Sequence, residues 1–115
     1  MLENFEKNIG YIFKDKNLLK TALTHTSYAY EKRVQSNEKL EFLGDSILEF
    51  ISSNYLYKNY INLNEGEMTK VRASVVCEKS LYKIAIKHNF GDFLYLGKSE
   101  LSNNGNKNEA ILADS

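Results

Sequence analysis

Three carboxylates, Glu38, Glu41 and Asp45, stand at i, i+3 and i+7 in the stretch Asn37-Glu38-Lys39-Leu40-Glu41-Phe42-Leu43-Gly44-Asp45-Ser46. On a helix turning about 100° per residue they fall within roughly 60° of one another. Leu40, Leu43, Ile47 and Ile51 fall on the opposite side. The spacing therefore predicts one helix with a buried apolar face and, across from it, a concentrated acidic face. Like charges at this spacing repel and cost helix stability, and a divalent cation is the obvious agent to offset the repulsion. Mg²⁺ takes oxygen ligands in octahedral geometry and keeps several waters, so a few carboxylates suffice for a site. Glu41 and Asp45, four apart, can reach one ion from adjacent turns. An ion held in this way can act as a Lewis acid and acidify a bound water. Taken alone, such a triplet is more often an ordinary solvated helix face.

Several elements must position these residues. Leu2, Phe5, Ile9 and Ile12 repeat at helical spacing and predict a short first helix, ending near Gly10. Asp15 precedes a second short helix over 17–23, with Leu18, Leu19 and Leu23 inward. Residues 27–36 are polar and tyrosine-bearing and read as a loop. The long acidic helix runs from about Asn37 to about Tyr60, with Ser36 or Asn37 as N-cap. A turn at 62–66 leads to a helix marked by Met68, Val71, Val75 and Val76. A break near Cys77 precedes another, marked by Leu81, Ile84, Ala85 and Phe90, which Gly91 ends. The polar stretch 97–108 reads as turn and loop, and a last helix starts near Asn108. No useful segment alternates with period two, so the fold class is all-α.

The chain has 115 residues, which fits one domain. Fifteen basic residues balance fifteen acidic ones, so binding of a polyanion must come from local patches or metal ions. The single cysteine, Cys77, excludes an internal disulfide framework and fits a reducing, cytoplasmic setting. No apolar run approaches a membrane span, and the first residues lack the basic and apolar regions of a secretory signal.

The stretch from Asn37 to Ser46 resembles the signature of the ribonuclease III family, whose members cleave double-stranded RNA. Three further segments resemble family elements in family order: Ala22-Leu23-Thr24-His25-Thr26-Ser27, Glu65-Gly66-Glu67-Met68-Thr69-Lys70-Val71-Arg72-Ala73, and Asn108-Glu109-Ala110-Ile111-Leu112-Ala113-Asp114-Ser115. The resemblance spans essentially the whole chain. It implies an all-helical, homodimeric endonuclease domain over 1–115, using Mg²⁺ (with Mn²⁺ as a substitute) to leave 5′-phosphate and 3′-hydroxyl ends on RNA, as in rRNA and mRNA processing. By the family pattern Glu41, Asp45 and Asp114 ligate metal. Glu38, Glu65 and Glu100 match further acidic positions of the cleavage valley, Glu38 and Glu65 as catalytic residues and Glu100 beside the RNA. Phe42 matches an aromatic residue that inserts into the partner subunit.

Two departures accompany the resemblance. The family has a glutamate three residues after Asp114, and common bacterial members carry a double-stranded-RNA-binding domain; neither lies within this sequence. The domain therefore reads as incomplete at its C-terminal end, with Leu112 and its apolar neighbours expected to be under-buried. Lys70 and Arg72 are the candidate phosphate contacts, and equally fit solvated residues paired with Glu67 and Glu78. Glu65 also fits a helix start, His25 a structural or helix-end residue, and Cys77 a buried or junction thiol. The alternative to the enzyme is a catalytically silent domain of this fold that binds RNA or serves assembly.

Overall fold

The computed structural model describes all 115 residues. Helices make up 72% of the chain and there is no strand, as the all-α reading expects. The one extended pairing is a single parallel bridge between Thr24 and Tyr95. Helix α1 (Leu2–Ile9) ends at Gly10, whose φ of 72° is the left-handed turn that glycine adopts without a Cβ clash. Helix α2 (Lys16–Ala22) starts at Asp15, whose carboxylate accepts from the Asn17 and Leu18 N–H groups. Phe5, Leu19 and Leu23 form the core between them. The Phe5 ring packs on Phe90 at 5.2 Å and on Phe93 at 5.5 Å between centroids. Ile12 and Leu18, expected inward, are exposed. Ile12 lies beyond the end of α1, where helical spacing no longer aims it, and Leu19 takes the core position beside Leu18.

Helix α3 (Thr26–Lys32) occupies part of the segment read as a loop. It lacks an apolar repeat and buries only Ala29, so its helicity is set by its cap and its neighbours. Helix α4 (Glu38–Asn59) carries the signature, and α5 (Glu65–Val76) packs along it. A capping box starts α5: the Asn64 side chain accepts from the Glu67 N–H while the Glu67 carboxylate accepts from the Asn64 N–H. Cys77, exposed, separates α5 from α6 (Glu78–Lys87). A second short helix, α7 (Lys98–Ser102), lies within the polar stretch read as turn and loop. It is anchored where the Gly97 N–H donates to Ser27 Oγ and the Lys98 N–H to the Glu31 carboxylate. Helix α8 (Glu109–Asp114) closes the chain, capped by the Asn108 side chain at 3.0 Å from the Ile111 N–H.

Helices α6 and α8 form the most extensive helix pair. Leu112 is 1% exposed, the most deeply buried large side chain, and Ala85 is buried with it. This reverses the expectation that Leu112 is under-buried. The backbone turns at Gly91 and Asn106 come so close that a Cβ on Gly91 would sit 2.2 Å from the Asn106 carbonyl oxygen. That approach brings Leu112 down onto Gly91 and α6.

The expected burial of the α4 apolar stripe also fails. Leu43, Ile47 and Ile51 are each about half exposed, Phe42 and Phe50 more so. The reason is shape. The radius of gyration is 15.8 Å, where a compact chain of this length has about 13 Å. The principal extents are 49 × 31 × 24 Å. The stripe faces Leu81, Ile84, Ala85 and Leu112 of α6 and α8 across an open cleft that they do not close, and only Leu56, near the far end of α4, is buried.

Candidate active site

Glu38 begins α4, and the approach to it is laced to the body of the fold. The Asn37 N–H donates to the Thr24 carbonyl at 2.9 Å, and the Asn37 side-chain amide donates to the Ala22 carbonyl. Thr24, 2% exposed, in turn donates its hydroxyl to the Lys20 carbonyl. The Tyr95 N–H donates to Leu23 and the His25 N–H to Tyr95, which fixes the 23–25 segment from its other edge. Asn37 is the N-cap residue its position suggests, but its side chain makes no cap bond and instead ties α4 to Ala22, a contact that no spacing reveals.

From this fixed start, α4 projects Glu41 one turn further along. Glu41 is half-buried and shares a cleft of about 240 Å³ with Glu38, His25 and Asp114. Asp114 arrives at the same cleft from α8. Asp45, exposed, borders with Glu41 an adjoining apolar cleft floored by Leu112 and Ala85. Burial pushes the Glu41 carboxyl above the ordinary carboxylate range, and the nearby Asp114, Asp45 and Glu38 charges push it further. The chain's ion pairs are Met1–Glu3, Lys16–Glu6 and Arg72–Glu49, so no protein cation faces this group. No three of these carboxylates stand close enough together to hold a metal ion as the side chains lie. Glu41 alone of these is partly withdrawn from water, while Glu38, Asp45 and Asp114 are exposed; such oxygen donors with no counter-charge suit a hydrated Mg²⁺, which takes only part of its shell from protein.

The remaining candidates divide. Glu100, on α7, lines a broad groove of about 780 Å³ with Glu38, His25 and Tyr30. Its carboxylate also lies against Gly105, where a Cβ would come within 2.8 Å of Oε2. The acidic positions thus continue from the Glu41 cleft into this groove through Glu38. Glu65 is elsewhere: it starts α5 and borders a cleft with Ser53, Leu56 and Arg72. That is the far end of α4, about 30 Å of helix from Glu38, so one chain does not bring Glu65 to Glu41. Arg72 is held on α4, with Nε 3.1 Å from the Glu49 carboxylate and Nη1 donating to Ser53 Oγ at 2.9 Å. Its partner is therefore Glu49 rather than Glu67 or Glu78. Lys70 is exposed on α5 and makes no ion pair. Phe42 is 78% exposed, off the stripe as its spacing indicates.

Fold and site together define an all-helical domain whose longest helix presents carboxylates to a cleft completed by a carboxylate from a second helix. The model of the ribonuclease-III-like family matches residues 15–115, and the chain belongs to that family. It is 51% identical over 116 aligned residues to ribonuclease 3 of Caldanaerobacter subterraneus, covering 99% of this chain and 51% of that protein. It is 52% identical to ribonuclease 3 of Oceanobacillus iheyensis, covering 95% of this chain and 49% of that protein. The chain thus spans about half the length of the curated relatives it matches. Among solved structures, the nuclease domain of ribonuclease III from Campylobacter jejuni superposes with a TM-score of 0.92 at 43% identity, covering 99% of this chain and 78% of that one. That structure concerns flexibility in a region involved in dimer formation of the Campylobacter domain.

Proposed function

We propose that this chain is the catalytic domain of a Mg²⁺-dependent endonuclease that hydrolyses double-stranded RNA to 5′-phosphate and 3′-hydroxyl ends and acts as a homodimer. The observation that carries the reading is the meeting of Asp114 with Glu41, beside Asp45 and Glu38, with no protein cation opposed. Membership in the ribonuclease-III-like family supports it.

In this reading Glu41, Asp45 and Asp114 hold the cation, and Mn²⁺ takes its place when supplied. A cation held there would supply Lewis-acid chemistry, offsetting charge on the phosphate and acidifying a nearby water. The half-burial of Glu41 favours a ligand role, because the protein has already removed part of its hydration. Glu38 stands at the junction of the two clefts and orients water or ribose beside the reacting phosphate. Glu100 extends the same acidic wall toward the RNA. Glu65 joins the valley only in a dimer, since within one chain it sits at the far end of α4. Lys70 is placed to touch phosphate, and Arg72 would do so by giving up Glu49. Phe42 and the half-exposed α4 stripe form the surface that a second copy buries.

Processing of rRNA or mRNA in the cytoplasm is the setting this activity fits. No helix is long and apolar enough to cross a membrane. The test is incubation of the protein with long duplex RNA, with and without Mg²⁺, followed by analysis of product ends. Mg²⁺-dependent fragments bearing 5′-phosphates are expected; a duplex left intact in Mg²⁺ and in Mn²⁺ would overturn the reading.

A further inference from the structure

His25, Thr26 and Glu38 border both the Glu41–Asp114 cleft and the groove holding Glu100, and of the three only His25 carries an aromatic N–H donor. Its backbone is fixed on both sides: the His25 N–H donates to Tyr95 at 3.0 Å, and the preceding Thr24 carbonyl accepts from Asn37 at the start of α4. The ring is fixed as well. Nδ1 accepts from the Ser27 N–H at 3.1 Å and lies 2.8 Å from Ser27 Oγ. The Ser27 hydroxyl oxygen already accepts from the Gly97 N–H, so its own proton is free to point at Nδ1. With two donors aimed at Nδ1, the ring proton resides on Nε2. No hydrogen bond within the chain engages Nε2, although the ring is only half-exposed.

A purely structural role explains Nδ1 and leaves Nε2 without a purpose. As N-cap of α3, His25 performs a task that Ser, Thr, Asp or Asn performs as well or better. What histidine adds over those residues is reach: a rigid N–H donor carried past the cap to where the two clefts join. Every other titratable side chain bordering the Glu41–Asp114 cleft is a carboxylate, which can accept but not donate when ionised. A phosphodiester strand lying there brings non-bridging oxygens that need donors.

We propose that His25 is a substrate-binding residue whose Nε2–H donates to a non-bridging phosphate oxygen of the RNA strand lying beside Glu38 and Glu41. The assignment rests on the RNA reading above and adds a residue to it. A hydrogen bond to a charged phosphate at this position contributes roughly tenfold or more to affinity.

Two variants separate the cap from the donor. His25→Asn keeps an acceptor for the Ser27 N–H and removes Nε2; His25→Gln keeps an amide donor near Nε2 and gives up the cap. Each is measured for melting temperature and for affinity toward a short RNA duplex with Ca²⁺ replacing Mg²⁺, so that hydrolysis does not consume the ligand. In parallel, the His25 ring ¹⁵N and ¹H signals of the unaltered protein are followed during titration with the same duplex. The expected result is an Asn variant that melts like the parent but binds duplex about tenfold more weakly, a Gln variant that recovers part of the affinity with a lower melting temperature, and an Nε2 signal that shifts on saturation. If the Asn variant does not fold, the ring titration decides alone. A parent protein that binds duplex while Nε2 stays unmoved, or an Asn variant that binds as the parent does, overturns the role of His25 and leaves the RNA reading standing. A parent protein that binds no duplex overturns both.

Discussion

Replacing Glu41 by glutamine removes a charge from the most crowded point of the acidic cleft while keeping the shape of the side chain. In the folded protein this carboxylate has Glu38 three residues before it and Asp45 four residues after it on the same helix, with Asp114 approaching from α8. Like-charge pairs at these helical spacings cost about 0.2–0.5 kcal/mol each. Counting Asp114 as a third neighbour of similar strength, relief of all three amounts to about 0.5–1.5 kcal/mol. Glu41 makes no ion pair whose loss offsets that gain. For a chain near this size, 1 kcal/mol moves the melting temperature by about 4 °C. Glu41→Gln should therefore melt about 2–6 °C higher than the parent protein at neutral pH in the presence of a chelator. The sign with pH follows from the direction of the shift. Glu41 has its carboxyl raised in the folded state, so its ionisation works against the fold above the ordinary carboxylate range, and the cost disappears once both states are protonated. The advantage of the variant should then shrink as pH falls through the raised Glu41 pKa and be gone below about 4.5. Added Mg²⁺ should reverse the ranking, because an ion bound only by the folded parent stabilises it by mass action. The assay is thermal unfolding by circular dichroism across pH, with chelator and with Mg²⁺. A variant that melts at or below the parent temperature in chelator would refute the claim that these carboxylates repel one another in the empty cleft.

Acid should also act through Glu6, whose carboxyl is held low by the Lys16 ammonium and then by the Phe13 N–H. The stability it contributes is present above the ordinary carboxylate range and lost as pH falls through its lowered pKa, so Glu6→Gln should flatten the acid limb of a stability-against-pH curve measured by urea denaturation. Phe42→Ala should leave monomer stability within about 0.5 kcal/mol, since the ring is 78% exposed. It should weaken self-association by about thirtyfold if the ring is an interface anchor, and an unchanged sedimentation profile would remove it from the interface. Gly91→Ala places a Cβ against the Asn106 carbonyl and must shift α8. A loss of about 1–3 kcal/mol is expected in chemical denaturation, together with weaker Mg²⁺ stabilisation because Asp114 moves with α8.

Much of this architecture is legible in the residues. The reading of a helix from about Asn37 to Tyr60 corresponds to Glu38–Asn59, and the break at Cys77 falls between α5 and α6. Those elements are long and carry repeated apolar positions or strong caps. Helices α3 and α7 escape the same reasoning. Their stability comes from Ser27, Glu31 and Gly97 gripping one another across the chain, not from a local pattern. The apolar stripe of α4 shows the opposite error, for periodicity reports which face is apolar but not whether the same chain covers it. Leu112 was misjudged because its burial depends on Gly91 and Asn106, whose close approach has no sequence signature beyond the glycine itself. Helix spacing puts Glu41 and Asp45 on one face, but reading them as metal ligands, like reading Asp114 so, rests on the family resemblance, and Asp114 meets Glu41 only because α8 folds onto α6. The separation of Glu65 from that cleft is likewise a property of the helix axis, invisible in a linear motif.

The central claim is that Glu41, Asp45 and Asp114 form one metal-dependent centre for cutting duplex RNA. Single-turnover cleavage of an end-labelled RNA duplex, measured against Mg²⁺ concentration for the parent protein and for Asp45→Asn, tests it most directly. Asp45 is exposed and borders the centre without supporting the core, so the variant should fold normally. The account predicts that it loses cleavage by about a hundredfold or more at ordinary Mg²⁺, the scale of losing a main electrostatic contributor to catalysis. Cleavage by the folded Asp45→Asn variant at the parent rate and with the parent Mg²⁺ dependence would contradict it.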